Sequence, residues 1–129
     1  MMPLLLLAAA SADLDTLDQA VARCDRGVAN PAFSNEAARR SQFLLGAYRE
    51  QEAIVAARLD LSQRRRDLRE ASTKKNAVED AKLGLEEAAI EDRQRALNDQ
   101  RMLEGIRQDA MDAMRRYFLL NCPAGKNDK

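Results

Sequence analysis

From Ala32 to Cys122 the apolar side chains recur three and four residues apart, and no stretch alternates with period two between turn residues. That pattern predicts helices and no strands. A short first helix is expected from about Asp13 to Arg26, with Leu14, Leu17, Val21 and Cys24 on one stripe and Gly27 as its stop. Asn30-Pro31 then supplies a cap and a first-turn proline, and Ser34 offers a second cap one turn on. The helix that follows carries Phe43, Leu44, Ala47, Tyr48, Ile54, Leu61 and Leu68, of which Ala47, Ile54, Leu61 and Leu68 keep strict seven-residue spacing. A second long segment carries Val78, Leu85, Ile90, Leu97, Leu103, Ile106, Ala110, Ala113, Tyr117 and Leu120, and its last third is the cleaner stripe.

Between the two long segments the pattern lapses over residues 72–76. Asn76 with Glu79 three residues later has the form of a capping box, and the basic run before it suits a helix end. This is read as a turn, against the alternative of one unbroken helix on the order of 130 Å long. A hairpin folded at residue 73 brings Cys24 opposite Cys122, Phe43 opposite Leu103, Leu61 opposite Leu85 and Leu68 opposite Val78. It also sets residues 56–75, with seven basic and three acidic side chains, against residues 76–95, with three basic and six acidic. Charges arranged in this way select a partner more than they hold it. All five aromatics, Phe33, Phe43, Tyr48, Tyr117 and Phe118, fall toward the end away from the turn. The expected architecture is all-α: a long antiparallel helical hairpin of coiled-coil type with a short N-terminal helix at its base. It occupies residues 13–122 as a single domain, followed by a disordered tail over 123–129.

Composition narrows the chemistry. The 129 residues include no His and no Trp, and 21 basic side chains balance 21 acidic ones. Without imidazole there is no Ser-His dyad and no His-containing zinc site, and two cysteines cannot build a four-thiolate site, so a non-enzymatic role without cofactor or metal is expected. Zero net charge removes the broad basic field that non-specific nucleic-acid binding needs. Residues 3–12 form an apolar run ending in Ala10-Ser11-Ala12 before the acidic Asp13 and Asp15, the outline of a signal peptide over 1–12, with the mature chain beginning at Asp13. That run is too short to span a bilayer. An even cysteine pair in a small exported chain points to a Cys24–Cys122 disulfide and to a periplasmic or secreted setting.

Three constellations could carry a function. Arg64, Arg65, Arg66 and Arg69, with Arg58, Lys74 and Lys75, form a concentrated basic run, and arginine forks suit phosphate or carboxylate. An anionic ligand such as lipopolysaccharide or nucleic acid is the sharp reading; a solvated face balanced by Glu79, Asp80, Glu86 and Glu87 is the plainer one, and no aromatic lies near enough to stack a base. Glu86, Glu87, Glu91 and Asp92 raise the idea of a cation or acid/base site, but no His follows a Glu by three residues as in dimetal helices. Met102, Met111 and Met114 are read as core, and Gly46, Gly84 and Gly105 as marks of close helix approach or bends. The expected function is therefore interaction through helix faces, with a protein partner or with a second copy. Polar residues at the seam, Gln51, Arg58 and Arg65, leave the two-helix contact thin and favour self-association.

Overall fold

The computed structural model describes residues 3–71 and 77–124, with side chains from Asp13 onward. The described chain is helical, with no strand among the described residues. Three helices follow in order: α1 (Pro3–Ala22), α2 (Arg26–Ala71) and α3 (Ala77–Asn121), the two long ones packing against each other. The proposed turn over 72–76 and the last five residues of the tail lie outside the described residues. Two compact units are distinguished: one formed by Met1–Ser41 with Gly105–Lys129, the other by Gln42–Glu104.

In the first unit all three helices contribute to one apolar core. Leu17 and Val21 of α1, Ala29 of α2, and Met111, Phe118 and Cys122 are buried, with Leu14, Ala32, Phe33 and Met114 packed at the edge. The rings of Phe33 and Phe118 meet at 5.8 Å in a tilted arrangement, and the Arg26 guanidinium lies 5.4 Å from the Phe118 centroid. The expected disulfide is formed: Cys24 and Cys122 are bonded, with a Cα–Cα separation of 5.4 Å, within the range such a bond requires.

The corner between α1 and α2 departs from the sequence expectation. α1 ends at Ala22 rather than near Arg26, because Cys24 takes a left-handed conformation at φ 56°. The Asp25 N–H donates to the Ala20 carbonyl and the Cys24 N–H to the Val21 carbonyl, the paired closure of a Schellman cap. Glycine is the usual occupant of that position; here a cysteine accepts the strain and the disulfide holds it. α2 then starts at Arg26, with the Asp25 carbonyl receiving the N–H groups of Val28 and Ala29. Pro31 is consequently inside α2, not at its first position, and Ser34 is no cap: its hydroxyl donates back to the Pro31 carbonyl at 3.2 Å. So early in the helix the proline forfeits only a bond to the first-turn Gly27 carbonyl.

In the second unit the core is a ladder at seven-residue spacing. Ile54 and Leu61 of α2 meet Leu83, Ile90 and Leu97 of α3, with Ala47, Ala57 and Leu68 at its margin. The α2 phase is therefore the one its sequence predicts. On α3 the phase differs: Leu83, absent from the predicted stripe, is buried, while Val78 and Leu85 are 67% and 74% exposed. Leu103 and Ile106 are also exposed, as is Met102, which was expected in the core. The seven-residue series that starts at Leu83 runs on through Ile90 and Leu97 to Met111 and Phe118, and these are the residues α3 buries. Two aromatics expected to pack, Tyr48 and Tyr117, are exposed as well.

The glycines mark no close approach. A methyl group added at Gly46, Gly84 or Gly105 would meet nothing within 4 Å. All three sit inside long helices, where glycine is less favourable than alanine by about 0.5–1 kcal/mol. Gly84→Ala is accordingly expected to stabilise the chain by about 0.5–1 kcal/mol in urea unfolding monitored by circular dichroism. The disulfide yields a second prediction. Paired Cys24→Ser and Cys122→Ser substitutions should cost about 2–4 kcal/mol in the same measurement, since closure of a loop of this length constrains the unfolded chain. Equal stability of parent and double variant would show that the bond contributes nothing.

Candidate functional site

The predicted basic run resolves into paired and unpaired arginines. Arg64 is held by Asp60 at 3.0 Å, one turn back on α2, and by Glu86 of α3; Arg65 reaches Glu87 at 2.7 Å. Arg58 bonds both Glu91 and Gln94. Hydrogen bonds from Arg64 and Arg65 hold the Glu86 and Glu87 carboxyls below their ordinary range, so both are ionised at neutral pH. Arg66 and Arg69 are exposed and make no ion pair among the described residues, and Lys74 and Lys75 lie outside them. The same bonds disperse the carboxylate cluster, because Glu86, Glu87 and Glu91 each face an arginine of α2 and Asp92 pairs with Arg95 on its own helix. Among the described residues no group of three or more His, Cys, Asp or Glu side chains could hold a metal ion.

The seam residues Gln51, Arg58 and Arg65 do lie between the long helices, and each finds a partner there. Gln51 and Gln94 exchange reciprocal amide bonds at 2.8 and 2.9 Å, and Arg93 pairs with Glu50. These contacts fix register rather than supply much stability, being half-exposed ion pairs and amides.

Sequence reasoning missed one cluster altogether. Arg107 is 7% exposed, the one buried charge among the described residues. Its guanidinium donates to both Glu36 oxygens at 3.1 Å and reaches Asp13 at 3.3 Å, while Gln108 and Arg39 add further bonds to Glu36. Burial raises the Glu36 carboxyl, but the bonds from Arg39 and Arg107 and their charges outweigh it, leaving the group below its ordinary value. The cluster ties α1, α2 and α3 of the first unit through one guanidinium, Arg107 of α3 reaching Glu36 of α2 and Asp13 of α1. No local signal announces it, since its members are 71 residues apart in the case of Arg107 and Glu36.

A shallow groove of about 270 Å³ in the same unit is lined by Arg26, Asn30, Phe33, Ser34, Arg115, Phe118 and Leu119. Arg26 is already committed there, donating to the Cys122 carbonyl.

Both long helices also carry exposed apolar side chains. On α3, Leu103, Ile106, Tyr117 and Leu120 are 43%, 58%, 51% and 81% exposed, and with Ala110 and Ala113 they keep unbroken 3-4 spacing. On α2, Leu44, Tyr48, Val55 and Leu59 form another exposed stripe, on the far side of Ile54 and Leu61. Scattered exposed leucines need no explanation; aligned ones resemble a contact surface. Compared with known proteins, the chain matches no family model, no curated protein and no solved structure.

The Glu36 carboxylate supplies a pH prediction. Its folded value is depressed, so its stabilisation is full above the unfolded value and is lost as pH falls through the folded one. At pH 7, Glu36→Gln should destabilise the chain by about 3 kcal/mol, the low end for breaking a buried pair, because Asp13 still faces Arg107. The gap between parent and variant, read from thermal melts, should hold down to about pH 5 and close below the ordinary value of 4.5. A gap unchanged in strong acid would show that the carboxylate's charge is not what holds Arg107.

Proposed function

We propose that the chain is an exported, non-enzymatic interaction or scaffold protein that binds a protein partner or itself through the outer faces of an antiparallel helical hairpin. The antiparallel arrangement is supported by the order of the cross-pairs, in which partners on α3 fall in number from Gln94 through Glu91 to Glu86 as those on α2 rise from Gln51 through Arg58 to Arg64. It is supported further by the Cys24–Cys122 bond. Export to an oxidising compartment accords with the same bond, since intracellular thiols are usually kept reduced, and with the Ala10-Ser11-Ala12 pattern. No helix among the described residues is long and apolar enough to cross a membrane.

One observation carries the functional reading: the apolar stripe in the last third of α3, with Leu103, Ile106, Tyr117 and Leu120, faces solvent. A helix that spends one stripe on its own core and holds a second in water has a surface that another amphipathic helix can cover. Among the described residues the anion-binding reading draws on Arg66 and Arg69, because Arg64 and Arg65 already hold carboxylates.

The two readings separate cleanly. In a non-reducing pull-down from an envelope extract, Ile106→Glu with Tyr117→Glu should abolish partner capture without changing the helical circular dichroism signal. Replacing Arg64, Arg65 and Arg66 with Gln should leave affinity for heparin and lipopolysaccharide at its background level. Capture unaffected by the stripe variants, together with a salt-sensitive heparin affinity lost in the arginine variant, would put the anion-binding reading in its place.

A further inference from the structure

We infer that the outward face of the last third of α3 is a self-pairing surface, on which two copies of the chain pack α3 against α3 in antiparallel sense. The inference rests on the helix-face reading above and names its partner.

The face consists of Ile106, Ala110, Ala113, Tyr117 and Leu120, with Leu103 one turn earlier on the same helix. At 100° per residue it lies about 130° around α3 from the buried Met111 and Phe118, so the chain's own core does not cover it. The spacing is that of a coiled-coil seam, with Leu103, Ala110 and Tyr117 in one of its two position classes and Ile106, Ala113 and Leu120 in the other. In an antiparallel pair each class meets the other. Ala110 then faces the partner's Ala113, Ile106 faces the partner's Tyr117, and Leu103 faces the partner's Leu120. Each layer occurs twice by symmetry. Small residues meet at the centre, where the axes cross, and large ones meet on either side, so the seam is matched in size along its whole length.

Charge selects both the sense of the pairing and the occupant. Asp109 and Arg116 flank the seam on one side, seven residues apart; both are exposed, and neither side chain makes a hydrogen bond or ion pair among the described residues. In an antiparallel pair these flanking positions face their own kind, which sets Asp109 beside the partner's Arg116 and Arg116 beside the partner's Asp109. A parallel pair would set Asp109 beside the partner's Met114, leaving both charges unmatched. The surface is thus complementary to itself in size and in charge. A two-fold contact of this kind uses one patch on both copies and closes as a dimer. It spans about five helical turns, a small contact, so a concentration-dependent equilibrium is expected.

The test is sedimentation equilibrium of the oxidised full-length chain over a range of concentrations, with circular dichroism melts to confirm that each variant folds. The parent should show a reversible monomer–dimer equilibrium. Asp109→Arg and Arg116→Asp should each weaken it by about tenfold or more, by creating like-charge contacts across the dyad, and the double reversal should restore it to within about threefold of the parent. Ile106→Asp should abolish it. A parent that stays monomeric at every concentration overturns the inference, as does a dimer indifferent to Ile106→Asp and to the charge reversals. A monomeric parent that still captures a foreign helical protein through Ile106 and Tyr117 overturns self-pairing while leaving the helix-face reading standing. A monomer whose stripe variants behave as the parent does in every binding assay overturns both.

Discussion

The bond between Cys24 and Cys122 holds the end of α1 against the end of α3, and the packing of the first unit follows from it. Most helical stability in a protein comes from packing of an apolar face, and the stripe of α1 packs in one core with Met111, Phe118 and Phe33. The bond fixes that covering geometry, holds Cys24 in a backbone conformation a side chain seldom adopts, and buries Cys122. Arg26 reinforces the same corner, lying over Phe118 while donating to the Cys122 carbonyl. The Arg107 cluster adds a charged tie to the covalent one, joining three helices through one guanidinium that reaches Glu36 and Asp13.

The second unit depends on no such bond. Its core is a single row of aliphatic side chains, and the seam on either side is filled by Gln51–Gln94, Arg58–Glu91, Arg64–Glu86 and Arg65–Glu87. Pairs of this kind discriminate among registers, because a shift by one turn would break them and set Arg64 opposite Lys82 or Arg58 opposite Arg95. The arginine run thus has a structural use that consumes part of its capacity to bind anything else.

Functionally, the chain is notable for what its helices leave uncovered. α3 carries two apolar series around its circumference, and the structure buries only one of them. The exposed series has alanines at its centre and large residues to either side, with Asp109 and Arg116 at its edge, which favours recognition of another helix over that of a small molecule.

Helical class, the seven-residue phase of α2 and the cysteine pairing were legible in the sequence, because each rests on local periodicity or on the only partner available to a cysteine. On α2, Ala47, Ile54, Leu61 and Leu68 keep seven-residue spacing throughout, whereas the exposed Leu44, Tyr48, Val55 and Leu59 keep it only from Tyr48 to Val55, and packing took the longer series. On α3 two interleaved series compete: Leu83, Ile90, Leu97, Met111 and Phe118 against Val78, Leu85, Leu103, Ile106 and Tyr117. Periodicity cannot rank them, since both fit a helix equally well. The choice was made by what each face meets in three dimensions, with Phe33, α1 and the buried Cys122 drawing Phe118 and Met111 inward and turning Ile106 and Tyr117 to solvent. The end of α1 was decided in the same way. Glycine at position 27 is the better local stop, but the disulfide requires the turn at Cys24, and a covalent constraint outweighs a conformational preference of about 1–2 kcal/mol. Arg107 shows the limit of sequence reading most plainly: its burial is tolerable only because Glu36 and Asp13, remote in the chain, converge on it.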